Sequence, residues 1–206
     1  ANVGADRWSD DRLWYTSRQH WSPTANVAIS RALVLSICQQ LETHLIKVLV
    51  CDLDGTLWGG IAADDGVENI RIAYGDAVGE SYLELHNTIK AMKENGLVLA
   101  ITSKNDPDTV FEVFTHHRHM PLMLDDFSAV KINWERKSRN IEEISASLNI
   151  SLDAIAVIDD NPREISEIQD RLPSVTTIYL DGDPAQYPKI LVNHIAPIAT
   201  MLTHED

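Results

Sequence analysis

The sequence predicts an α/β fold built on a doubly wound parallel sheet, and three observations carry that expectation. Continuous apolar runs recur at "KVLVCDL" (47–53), "LVLAITS" (97–103) and "IAVIDD" (155–160), each too short for a helix. Segments of helical periodicity separate them, which implies parallel βαβ units. Each run ends in polar side chains, and the carboxyl ends of the strands are where an open α/β sheet binds its ligand.

The elements follow in order. Residues 1–20 are polar and rich in Trp, without clear periodicity. Ser22-Pro23 begins a helix that continues through "TANVAISRALVLSICQQLETHL" (24–45), so residues 1–46 form an N-terminal helical appendage. The first strand ends in Asp-Gly. A helix over 79–95 stops at Gly96, and another over "KSRNIEEISASLNI" (137–150) precedes the third apolar run. "LMLDDF" (122–127) is expected to form a further short strand, and "VTTIYL" (175–180) closes the set. Asp183-Pro184 supplies the N-cap and first position of a C-terminal helix. Residues 47–206 are thus one Rossmann-like α/β domain. Between Asp54 and the helix at 79–95 there remains "WGGIAADDGVENIRIAYGD", enough for a flap but not for a large cap.

Composition narrows the function. A chain of 206 residues buries a sizeable core, and 44% hydrophobic with 23% charged residues is that of an ordinary globular protein. With 31 acidic against 17 basic residues the net charge is −14, which repels nucleic acid and anionic membrane surfaces. No apolar run reaches the ~18 to 20 residues of a membrane span, and the N-terminus lacks the layout of a signal peptide. Two cysteines, Cys38 and Cys51, form no disulfide framework, and a reducing, cytoplasmic compartment is expected. Cys51 alternates with Asp52 and is expected to face the core. The chain starts with Ala1 rather than Met, as a segment of a longer chain would.

The strand ends carry the chemistry. Asp52 and Asp54 follow the first run, Thr102, Ser103 and Lys104 end the second, and Asp159 and Asp160 end the third. Four carboxylates brought together repel one another, so a divalent cation is expected among them, and all-oxygen ligation favours Mg²⁺. A hydroxyl and an ammonium beside the cluster suit phosphoryl oxygens. An Asp-Gly pair after a strand is also a common turn, and lysines are usually solvated. "THHRH" (115–119) lacks ligand spacing and is expected to be a solvated loop. Trp58 is either flap packing or a wall for substrate. "KINWERKSR" (131–139) sets Lys131, Arg136, Lys137 and Arg139 against Glu135, a positive field suited to anionic partners.

Asp-x-Asp-Gly-Thr at 52–56, Ser103, Lys137 and Asp159-Asp160 closely resemble the four motifs of the haloacid dehalogenase superfamily. The resemblance implies that Asp52 is the phosphoryl-accepting nucleophile and Asp54 the general acid and base. It implies that Ser103 and Lys137 hold phosphoryl oxygens, and that Asp52, the Asp54 backbone carbonyl and Asp159 ligate Mg²⁺ with Asp160 in support. "DLDGTLWGG", "SKND", "LDDF", "KINWERKS" and "IDDNPRE", with upstream "RLWY" and "WSP", further resemble the FkbH-like family. That narrower resemblance implies removal of phosphate from 1,3-bisphosphoglycerate and loading of a three-carbon acyl group onto the phosphopantetheine thiol of an acyl carrier protein, within a modular polyketide synthase. Substrate-binding candidates are then Thr102, Lys104, Asn105, Trp58 and Arg136. Thr102 stands where some members have a Cys proposed to carry the acyl group, which implies direct transfer here. A plain Mg²⁺-dependent phosphatase and a docking module without catalysis are the alternatives; the intact Asp52, Asp54, Lys137 and Asp159 count against the second.

Overall fold

The computed structural model describes residues 8–9, 11–40 and 46–199. The described residues fall into two compact units, 8–40 in the first and 46–199 in the second. In the first, α1 (Asp11–Ser17) and α2 (Pro23–Gln40) are joined by a turn in which Ser22 caps α2, its hydroxyl accepting from the Ala25 amide at 3.1 Å. Trp8 and Trp21 meet edge to face with ring centroids 6.2 Å apart, and Trp14 stacks on His20 at 4.2 Å.

The second unit has the predicted α/β fold. Strands β1 (Val48–Cys51), β2 (Val98–Ser103), β3 (Ala129–Ile132), β4 (Ile155–Asp159) and β5 (Thr176–Tyr179) form one parallel sheet in the order β3-β2-β1-β4-β5. β1 is central, and Cys51 is in register with both Ile101 and Ile158. The chain leaves β1 toward β2 and β3 and later returns to β4 on the other side. The switch point of the topology therefore lies at the ends of β1 and β4, where such sheets open a crevice.

Strand alternation sorts the two cores. Leu49, Cys51, Leu99 and Ile101 pack with Leu85 and Ile89 of α4 (Ala77–Glu94), Val110, Val113 and Phe114 of α5 (Pro107–His116), and Leu191 and Ile195 of α8 (Tyr187–Ala199). Val48, Val50 and Ala100 pack with Ile141 and Ile144 of α6 (Lys137–Leu148), Ile168 of α7 (Pro162–Arg171) and Leu172 just beyond it. A one-residue slip of β1 would exchange these faces, so its register is firmly specified. Cys51 is buried as expected, and burial followed by the Asp52 charge pushes its thiol pKa up.

Helix starts obey local chemistry. Asp76 caps α4 by accepting from the Gly79 amide at 2.9 Å, Asp106 caps α5 ahead of Pro107, and Asn161 caps α7 ahead of Pro162. Asp183 caps a single 3₁₀ turn, Pro184–Gln186, that runs into α8. Between β1 and α4 lie turns and the short α3 (Ala62–Asp65), a flap and no large cap.

One expected element is wrong. "LMLDDF" is not a strand. Leu124–Asp126 is a 3₁₀ turn in which Asp126 accepts from the Met123 amide at 2.7 Å and pairs with Lys93 at 2.5 Å. The strand is the following Ala129–Ile132, paired with Ala100–Ser103. Aspartate side chains offer the backbone a local partner that competes with a sheet ladder, and here they win.

Among the described residues, no helix is long and apolar enough to cross a membrane.

Candidate active site

A cavity of about 420 Å³ opens at the carboxyl ends of β1, β2 and β4. Asp52, Asp54, Ser103, Lys104, Lys137 and Asp160 line it, together with Gly55, Gly60, Ile61, Asn161 and Glu164. β1 delivers Asp52 into the crevice, its amide donating to the Ile158 carbonyl at 3.1 Å, and the chain then turns through Gly55 at φ 76°. Glycine is required there twice over. The backbone is left-handed, and a Cβ would overlap the carboxylate of Asp160. Thr56 completes this corner: its hydroxyl donates to Asp160 Oδ1 at 3.0 Å and accepts from the Asp160 amide at 3.1 Å.

Lys137 is almost fully buried, and its ammonium lies between two carboxylates, 2.8 Å from Asp52 and 2.5 Å from Asp159. Burial alone would lower its pKa, but the charges and hydrogen bonds of Asp52 and Asp159 outweigh this and hold it above the ordinary lysine value. Burial and the Asp52 charge raise the pKa values of Asp159 and Asp160. Asp52, Asp159 and Asp160 present carboxylate oxygens that lie within 4.8 Å of one another. Three carboxylates so close, offset by one lysine, fit a hard divalent cation with oxygen ligands, and Mg²⁺ meets that requirement. Among the described residues this is the one group of three or more His, Cys, Asp and Glu side chains whose ligand atoms come so close together.

Asp54 is fixed by three donors. Its Oδ1 accepts from the Trp58 indole at 2.7 Å and the Ala62 amide at 3.0 Å, and its Oδ2 from the Asn105 amide group at 2.7 Å. Its carboxylate is therefore engaged with the flap and the β2 loop and does not join the metal cluster; only its backbone carbonyl remains for the expected metal role. Burial raises its pKa against these hydrogen bonds, a direction that suits a proton donor.

Not every sequence candidate faces the cavity. Thr102 is fully buried, and its hydroxyl accepts from Asn140 at 3.2 Å on the α6 side of the sheet. Strand alternation turns it away from the site that Ser103 faces. Trp58 is wholly buried, edge to face with Phe114 at 5.8 Å, so it is flap packing that orients Asp54 rather than a wall for substrate. Asn105 is likewise buried and acts through Asp54. Arg136 is exposed at the N-cap of α6 and lines a neighbouring surface concavity with Glu135, Arg139 and Arg171. Glu164 and Ile61 were not singled out by sequence reasoning. Glu164 sits in the quoted "IDDNPRE" but carried no assigned role, and Ile61 belongs to the flap, whose path no local pattern reveals.

No family model matches the sequence, and no curated protein does. Among solved structures, the N-terminal part of the protein BF1531 from Bacteroides fragilis, described as containing a phosphatase domain complexed with Mg, is 32% identical. The match covers 98% of this chain and 52% of that one, with a TM-score of 0.73. This chain thus spans about half the length of that relative. A haloacid dehalogenase-like family hydrolase from Xanthomonas campestris is 13% identical, with a TM-score of 0.50 over 77% of this chain and 98% of that one. The cobalt-bound deoxy-D-mannose-octulosonate 8-phosphate phosphatase from Haemophilus influenzae is 13% identical, with a TM-score of 0.50 over 79% of this chain and 92% of that one. The last two establish the fold alone.

Proposed function

We propose that this chain, which shares its fold with haloacid dehalogenase-type phosphatases, is a Mg²⁺-dependent phosphoryl-transfer enzyme that releases phosphate through Asp52. The carrying observation is the pairing of buried Lys137 with Asp52 and Asp159 beside an Asp54 held by three donors. Asp52 attacks phosphorus, the bond to the leaving oxygen breaks, and Asp54 protonates that oxygen. Water then attacks phosphorus, Asp54 takes its proton, and the bond to Asp52 breaks. Lys137 and Ser103 hold the phosphoryl oxygens. Magnesium, when bound by Asp52, Asp159 and Asp160 with the Asp54 carbonyl, supplies charge stabilisation to the phosphoryl group. The decisive experiment is phosphate release from an aryl phosphate with Mg²⁺ and with chelator; no release under either condition would sink this reading.

The finer proposal is an FkbH-like loading enzyme in the cytoplasm, part of a larger synthase, acting on 1,3-bisphosphoglycerate and an acyl carrier protein. The motif set outside the catalytic residues supports it, as does the open flap, which leaves room for a pantetheine arm. The buried Thr102 hydroxyl supports direct passage of the acyl group to the thiol: the sulfur–acyl bond forms as the acyl–phosphate bond breaks, the leaving phosphate carries off the thiol proton, and the 3-phosphate is hydrolysed through Asp52. Intact mass of a phosphopantetheinylated carrier after incubation with chain and donor tests this, the gain naming glyceryl or another three-carbon group. Phosphate release without any mass gain would leave the plain phosphatase.

A further inference from the structure

The helix that carries Lys137 has no cap of its own. Its N-cap residue is Arg136, whose side chain makes no capping bond, and the Asn140 amide donates to the Arg136 carbonyl at 3.2 Å to close the first turn. The amides within that turn need an acceptor from elsewhere. Glu167, on the neighbouring α7, supplies it: Oε1 accepts from the Ser138 hydroxyl at 2.6 Å and Oε2 from the Ser138 amide at 3.3 Å. Arg171, one turn further along α7, meets the same Oε1 at 3.0 Å and fixes the direction of the carboxylate.

This clamp belongs to a closed ring of contacts. Ser138 follows Lys137, whose ammonium meets Asp159 Oδ2, while Asp159 Oδ1 accepts from the Asn161 amide at 2.8 Å. Asn161 is the N-cap of α7, the helix that carries Glu167. The two helices are thus locked together on both sides of the lysine–carboxylate contact. Lysine has a flexible four-carbon stem, so the placement of its ammonium depends on a fixed backbone beneath it. Buried Asn140 ties α6 to Thr102 at 3.2 Å, a second anchor that does not involve Glu167.

We infer that Glu167 is a positioning residue for the site: by clamping Ser138 it sets where Lys137 places its ammonium against Asp52 and the phosphoryl oxygens. Its effect on rate rests on the phosphoryl-transfer reading; its effect on Lys137 does not.

The test uses the full chain and two readouts. With an aryl phosphate and Mg²⁺, Glu167→Ala should lower kcat about tenfold with a much smaller change in KM, because a misplaced Lys137 fails chiefly as the transition state forms. Glu167→Gln keeps an acceptor for the Ser138 hydroxyl and should recover most of the rate. Ile144→Val loosens the same helix from the core without touching the clamp, so it should lower the melting temperature and leave kcat unchanged. Without any turnover, acetylation of Lys137 by acetic anhydride, followed by peptide mass spectrometry, should be severalfold faster in Glu167→Ala than in wild type or Ile144→Val. Unchanged labelling of Lys137 in Glu167→Ala would overturn the inference whatever the rate, as would equal kinetic losses in Glu167→Ala and Ile144→Val. No phosphate release by wild type would sink the phosphoryl reading and leave the labelling contrast to decide this one.

Discussion

Two buried nitrogen bases flank the central strand and behave in opposite ways. Lys137, at the start of α6, is held charged by Asp52 and Asp159, with its pKa above the ordinary value. His86, in the middle of α4, is fully buried; its Nε2 donates to the Leu57 carbonyl at 2.8 Å and its Nδ1 has no partner. Burial pushes its pKa down to about 4. Burial penalises the charged form at both places, and only opposing carboxylates reverse the outcome. The difference separates a site from a core: a buried charge persists where the sheet gathers counter-charges at its strand ends. Arg139, two residues beyond Lys137 and 62% exposed, shows a third case, a charge paired with Glu135 and Glu143 at the surface.

The largest expected effect breaks the charged side of this comparison. Asp52→Asn removes the nucleophile and a metal ligand, so turnover should fall to background while the fold survives. Metal-free stability should be unchanged or higher, because the substitution relieves repulsion in the carboxylate cluster. Turnover and urea unfolding of the purified variant check both points; near wild-type turnover would refute the nucleophile role.

Lys137→Ala should come next. It strands Asp52 and Asp159 beside each other, and removing one partner of a buried pair costs about 3 to 5 kcal/mol. Added Mg²⁺ should restore much of that stability, since it replaces the missing positive charge, but turnover should remain low. Thermal melts with and without Mg²⁺ measure the difference. A melt insensitive to the ion would show that the carboxylates do not form one cluster.

His86 sharpens the other side through pH. Its folded pKa of about 4 lies below the value of 6.5 taken for the free side chain, so above pH 6.5 both states are neutral and the group adds no pH dependence. As pH falls from 6.5 toward 4, the unfolded chain takes up a proton that the folded one refuses, and stability declines by about 3 kcal/mol across that window. Wild type should therefore lose more stability than His86→Gln between pH 7 and pH 4.5 in urea titrations. Equal losses would mean that the imidazole is not held neutral.

The smallest effects belong to the exposed arginines. Arg136→Ala and Arg139→Ala should weaken the apparent affinity for an anionic donor or carrier mainly at low salt, since such fields are screened over about 8 to 10 Å at physiological ionic strength. Maximal rate should be far less affected than by Lys137→Ala. Losses that do not vary with salt would place these side chains in direct contact instead.

Much of this architecture is legible in one dimension because its signals are local. Apolar runs of β1, β2 and β4 announce buried parallel strands, Pro and Asx residues mark the starts of α5, α7 and the turn before α8, and the polar ends of the runs locate Asp52, Ser103 and Asp159. The edge strand β3 escaped because Ala129–Ile132 is short and only partly buried, whereas the more apolar "LMLDDF" looked stronger until its aspartates took the backbone into a turn.

What the amino-acid order alone determined is which residue types end each strand, and so the class of chemistry. Which way each side chain faces was decided by the tertiary structure. Thr102 and Ser103 are adjacent and both hydroxylic, yet pleating sends one to Asn140 and the other to the cavity. Arg136 and Lys137 are adjacent and both basic, yet the first turn of α6 sends one to the surface and buries the other between two carboxylates. Trp58 and Asn105 became partners of Asp54 only when the flap and the β2 loop converged on it, 4 and 51 residues away along the chain. Such orientation depends on long-range packing and hydrogen bonding, and no local pattern records it.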